Sequence, residues 1–92
     1  MELDFEWDDS KAKSNLRKHR VDFEDATEVF GDVLRIVWLD ERGDYGEERF
    51  VTVGRTRSGD LLTVVYTERD EKLRLISARR ANAYERKLHH EG

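Results

Sequence analysis

The sequence predicts an α+β domain in which helices pack on an antiparallel β-sheet, in the order β-α-α-β-β-β-β-α. Three observations lead there. Short segments near 3–7, 48–55, 61–69 and 72–77 alternate apolar and polar residues with the period of half-buried strands. Segments near 8–19, 22–31 and 81–88 instead repeat apolar residues at helical spacing. The later strands follow one another across short polar turns, which favours antiparallel hairpins over parallel crossovers.

The first strand, LDFEW at 3–7, sets Leu3, Phe5 and Trp7 on one side. In the helix expected over 8–19, acidic residues can cap the start, Ala12 and Leu16 stand four apart, and basic residues fall at the end, where they suit the helix dipole. Asp22 is a good cap for a second helix of about two turns. Its apolar face is Phe23, Ala26, Val29 and Phe30, and Gly31 marks its stop. VLRIVWL at 33–39 reads as a strand and DERGDYG at 40–46 as a mobile loop. The RSGD turn at 57–60 joins the next two strands, and Asp70–Glu71 leads to a fifth with Leu73 and Leu75 on one face. In the last helix Ala81, Tyr84 and Leu88 share a face, with Ser77 as the candidate N-cap and His89 and His90 in a frayed tail.

A chain of 92 residues is read as one domain, 1–92, just large enough to bury its own core. Charged residues make up 41% of it, but two Trp, three Tyr and four Phe argue against disorder. Without cysteine there is no disulfide, zinc–cysteine site or thiol chemistry, and with no long apolar run or leader the expected location is the cytoplasm. The net charge of −4 is unevenly spread: residues 1–50 hold 8 Lys/Arg against 15 Asp/Glu, and residues 51–92 hold 9 against 6. The second half is therefore the basic one, and a local basic patch can bind phosphates despite the acidic total.

That half contains LISARRA at 75–81. If Ser77 caps the last helix, free backbone amides together with Arg79 and Arg80 form an anion site, whereas arginines at a helix start are misplaced for stability alone. The alternative is a plain solvated helix start. Arg69, Arg49 and Arg55 are further strand arginines. Arg17–Lys18–His19–Arg20 is a compact basic cluster in which His19 can act as an acid or base, or simply cap a helix. The acidic residues are scattered, so neither a metal nor a cofactor is expected.

FEWDDSKAKSNLRKHRVDFEDATEVF at 5–30, ERFVTVGRT at 48–56, LLTVVYTER at 61–69 and LISARRANAYER at 75–86 together resemble the BrnT toxins of bacterial type II toxin–antitoxin systems. The resemblance implies a RelE-like fold and a metal-independent ribonuclease that cleaves RNA, inhibiting translation and growth. It also implies a BrnA-like antitoxin, a toxin dimer joined through that antitoxin, and promoter DNA bound only through the antitoxin. One departure is Arg20, where the family usually has a glycine after K-H. In such a mechanism Arg79, assisted by Arg69 and the Ser77 region, grips the scissile phosphate. Arg80, Arg49, Arg55 and Lys18 hold the RNA backbone, and Glu48 or His19 takes the proton. The rival classes are a non-catalytic module that binds nucleic acid or protein, and a structural adaptor.

Overall fold

The computed structural model describes residues 3–92. In chain order its elements are β1 (Phe5–Glu6), α1 (Asp9–His19), α2 (Phe23–Ala26), a 3₁₀ turn (Thr27–Gly31), β2 (Ile36–Leu39), β3 (Phe50–Arg55), β4 (Leu61–Arg69), β5 (Lys72–Arg80) and α3 (Ala83–Glu91). They form one five-stranded sheet in the order β1-β5-β4-β3-β2. The hairpins expected from the alternation are present, and every pairing is antiparallel except the short parallel pairing of β1 with β5.

The two faces of the sheet differ. On one, Phe23, Ala26, Val29 and Phe30 pack on Leu62, Val64, Tyr66, Leu75 and Ala78. Phe30 meets Tyr66 edge-on at 5.0 Å, and Phe23 is 1% exposed; burying such a side chain contributes roughly 2–3 kcal/mol. The 3₁₀ turn approaches β3 so closely that a Cβ on Gly54 would lie 2.9 Å from the Val29 carbonyl oxygen, which explains a glycine between Val53 and Arg55. On the other face, Val53, Leu61 and Ala81 form a smaller cluster with Ile36 packed against it where α3 meets β3, and part of the sheet beside it is left open.

Several elements depart from the sequence expectation. The second helix is four α-helical residues followed by the 3₁₀ turn. β2 starts at Ile36 because Asp32 folds the preceding residues into a turn, accepting from the Leu34 amide at 2.8 Å, and Val33 and Leu34 are exposed. Leu3 is exposed, while Phe5 and Trp7 pack against the core as expected. The 40–46 segment has no regular structure, as expected, but is tied at both ends: buried Asp40 accepts from both the Nε and the Nη2 of Arg42 at 2.8 Å, and Arg49 stacks over the Tyr45 ring at 4.0 Å.

α1 ends with Arg20 at φ 59°, ψ 30°, its amide donating to the Leu16 carbonyl at 2.9 Å. The arginine therefore adopts the left-handed cap that glycine takes more easily. The buried side of α1 is Ala12 and Asn15, not Ala12 and Leu16; Leu16 is 45% exposed. The Asn15 amide donates to the Ala78 and Val21 carbonyls at 2.8 and 3.1 Å and accepts from the Ala78 amide at 3.0 Å. β1 pairs with β5 only at Leu73 and Arg74, so beyond it the edge of β5 has no strand partner, and Asn15 supplies the hydrogen bonds there.

Candidate active site

The register of the sheet assembles the site. Trp38 pairs with Val51, Val51 with Val65, and Val65 with Ser77, so these four form one row across β2, β3, β4 and β5 on the face that α3 leaves partly open. The neighbouring row is Ile36, Val53, Thr63 and Arg79. β5 skips a pairing at Ile76, between Leu75 and Ser77. Such a bulge re-aims the side chains after it, bringing Ser77 and Arg79 to the open face.

Over the first row lies a cleft of about 440 Å³. Val51 and Val65 lie in its floor, Lys18 and His19 line it from α1, and Trp38 and Arg42 line it from β2 and the loop that follows. Ser77, Arg79, Thr63 and Glu85 line it from β5, β4 and α3, and Asp40 and Glu41 lie beside Arg42. Thus Arg79, Ser77, Lys18 and His19, four of the residues singled out in the sequence, converge.

Ser77 is not a helix cap. β5 continues to Arg80, and Asn82 caps α3, its side chain accepting from the Glu85 amide while the Glu85 carboxylate accepts from the Asn82 amide. This reciprocal box satisfies two free helix-start donors, which Ser77 could not do from within a strand. The candidate anion site therefore rests on side chains of a sheet and not on a helix N-terminus.

Glu85 also fixes Arg79. Its two oxygens accept from the two terminal guanidinium nitrogens at 2.8 Å each, and it takes the Thr63 hydroxyl at 2.8 Å. Burial pushes the Glu85 carboxyl up, but Arg79, the Asn82 amide and Thr63 outweigh it and hold the group at about 2. Asp40 is also held at about 2, chiefly by Arg42, against the opposing effect of burial. In both pairs the carboxylate lies beneath and the cation faces solvent: side-chain exposure is 8% for Glu85 and 36% for Arg79, and 1% for Asp40 and 68% for Arg42. At these two pairs the cleft therefore presents the cation, while Glu41 adds one exposed carboxylate to the lining beside Arg42.

A stability signature follows. Both carboxyls have folded values below their ordinary 4.5 and 3.8, so their contribution is complete above about pH 4.5 and is lost as the pH falls toward 2. Urea denaturation midpoints should therefore be level between pH 7 and 5 and fall steeply below. Glu85→Gln should start lower and fall less steeply, and a parallel fall in both proteins would refute this account of Glu85.

The remaining candidates lie elsewhere. Arg69 pairs with Lys72 at the far end of β4, whereas Arg79 pairs with Thr63, six residues away and about 20 Å along the strand. With Arg69 held on Glu47 and Arg79 on Glu85, the structure does not bring the two guanidinium groups together. Arg69 and Arg49 both bind Glu47, at 3.1 and 3.2 Å. Arg80 pairs with Asp60 at 3.1 Å, and Arg55 donates to the Gly59 carbonyl at the β3–β4 turn. Glu48 is exposed and absent from the cleft lining, so of the two proposed proton acceptors only His19 is positioned there.

His89 is not in a frayed tail. It is buried, with Nε2 2.9 Å from the Asp32 carboxylate, tying the end of α3 to the turn before β2. Sequence reasoning missed Trp38, Arg42, Thr63 and Glu85; only Glu85 had a readable signal, the Asn-x-x-Glu spacing of a capping box. Among the described residues, no three His, Asp or Glu side chains gather in a way that could hold a metal ion, and no helix is long and apolar enough to cross a membrane.

Residues 7–85 match the family model of the ribonuclease toxin BrnT of type II toxin–antitoxin systems. Among solved structures, the fold is similar to that of the Brucella abortus ribonuclease toxin BrnT, with a TM-score of 0.63 and 20% sequence identity over 88% of this chain and 99% of that one. No curated protein matches the chain.

Proposed function

Because the chain belongs to the family of BrnT ribonuclease toxins of type II toxin–antitoxin systems, we propose that it cleaves RNA in the Arg79 cleft without a metal ion. The observation that carries this reading is the convergence of Arg79, Lys18, His19 and Ser77 on one cleft. The ribose 2′-OH attacks the adjacent phosphorus and His19 accepts its proton. Arg79, aligned by Glu85, neutralises the charge that grows on the non-bridging oxygens, with the Ser77 hydroxyl beside it. The bond to the 5′-oxygen breaks, and the Lys18 ammonium is suited to protonate that oxygen. The products are a 2′,3′-cyclic phosphate and a 5′-hydroxyl.

Arg49, Arg69, Arg80 and Arg55, each already paired with a neighbouring carboxylate or carbonyl, hold the RNA backbone away from the reacting phosphate. Cleavage in the cytoplasm inhibits translation and growth, and a BrnA-like antitoxin neutralises the protein in a complex that joins two toxin copies and binds promoter DNA through the antitoxin. Incubating the purified protein with mixed RNA, with and without chelator, tests the activity. Cutting that survives chelation supports it. Metal-dependent cutting overturns the mechanism, and salt-sensitive binding without cutting favours a non-catalytic module.

A further inference from the structure

Trp38 has no place in the mechanism above and no place in the core. It is 38% exposed and lines the cleft. Two valines, Val51 and Val65, separate it from Ser77 along a single cross-strand row. Three strand spacings put the ends of that row about 14 Å apart. One end is therefore aromatic, the middle is apolar and low, and the other end carries Ser77 with Arg79 in the adjacent row.

We propose that Trp38 is the base platform of the cleft, stacking on an unpaired base of single-stranded RNA while the neighbouring phosphate lies at Arg79. This rests on the RNA-cleaving role proposed for the same cleft. A nucleotide has the matching polarity, with a flat apolar base at one end and an anion at the other. The exposed guanidinium of Arg42, on the wall that carries Trp38, adds a cation for the next phosphate. A base paired within a duplex cannot offer its face to an indole, so the platform selects single strands. Because every base has a π-face, stacking alone is tolerant of sequence.

The test uses a short single-stranded 2′-O-methyl RNA, which 2′-OH attack cannot cleave, and the full chain carrying Trp7→Phe so that Trp38 is the only fluorophore of its kind. The base-bearing oligomer should quench Trp38, and an abasic oligomer of equal charge should not. Trp38→Ala and Trp38→Leu should each weaken binding roughly ten- to a hundredfold, while Trp38→Phe stays within about threefold. The salt dependence of binding should be unchanged in all three, since the phosphate contacts remain. Equal quenching by the abasic oligomer, or Leu binding as well as Phe, would overturn the stacking role; the quenching arm needs no change at position 38. Cleavage of ordinary RNA by the wild-type chain is scored separately. Cutting without base-dependent quenching defeats only the platform, and quenching without cutting defeats only the catalytic reading.

Discussion

Arg79→Ala should reduce RNA cleavage by at least a hundredfold, the usual cost of losing one preorganised group that stabilises developing charge. Arg79 also partners Glu85, whose side chain is only 8% exposed, so the single substitution leaves a buried carboxylate short of its cation and lowers stability as well. The double variant Arg79→Ala with Glu85→Gln removes that unpaired charge. It should recover much of the lost stability and none of the activity. Arg79→Lys keeps the charge but not the two-point fit to Glu85, and should fall between wild type and Ala. RNA cleavage assays beside denaturant melts on the same preparations separate the two effects. A folded double variant that cuts RNA at the normal rate would refute the role given to Arg79.

The second large effect lies outside the chemistry. Asn15→Ala should destabilise the fold by roughly 3 kcal/mol, because it leaves the buried Ala78 amide and carbonyl and the Val21 carbonyl without their side-chain partner. For a domain of this size that is a large share of the total. Asn15→Asp should be no better: it can still accept from Ala78 but turns a carboxylate toward two carbonyl oxygens. Ala78 lies between Ser77 and Arg79, so Asn15 also holds the strand that carries the site, and its loss should lower activity in protein that remains folded. Equilibrium urea unfolding gives the number, and a loss below 1 kcal/mol for Asn15→Ala would contradict the account.

The hairpins were legible because each strand alternates and each turn is short. Even Asp70–Glu71, without a glycine, closes as a two-residue turn with φ of 52° and 66°. The end of β5 was not legible. The bulge at Ile76 interrupts the two-residue period where LISARR begins to look like a helix entry, so Ser77 resembled a cap while the Asn82–Glu85 box five to eight residues further on did the capping. Arg79 stood out as an arginine at an apparent helix start, a misfit that disappears once β5 is seen to run to Arg80, and His19 as the titratable member of a basic cluster, whereas Glu85 and Trp38 are ordinary residues until the sheet register sets them beside the cleft. The roles of Asn15 and His89 depend on partners 63 and 57 residues away, which no local pattern encodes.

The central claim is that 2′-OH attack, organised by Arg79 and His19 and independent of metal, breaks the RNA backbone. End-group analysis of a single-stranded RNA cut in the presence of chelator tests it most directly. The expected outcome is a 2′,3′-cyclic phosphate and a 5′-hydroxyl, no cleavage where the attacking ribose is 2′-deoxy, and loss of the rising limb of the pH–rate profile in His19→Ala but not in Glu48→Gln. A 5′-phosphate with a 3′-hydroxyl, or cutting that continues at a 2′-deoxy position, would contradict it.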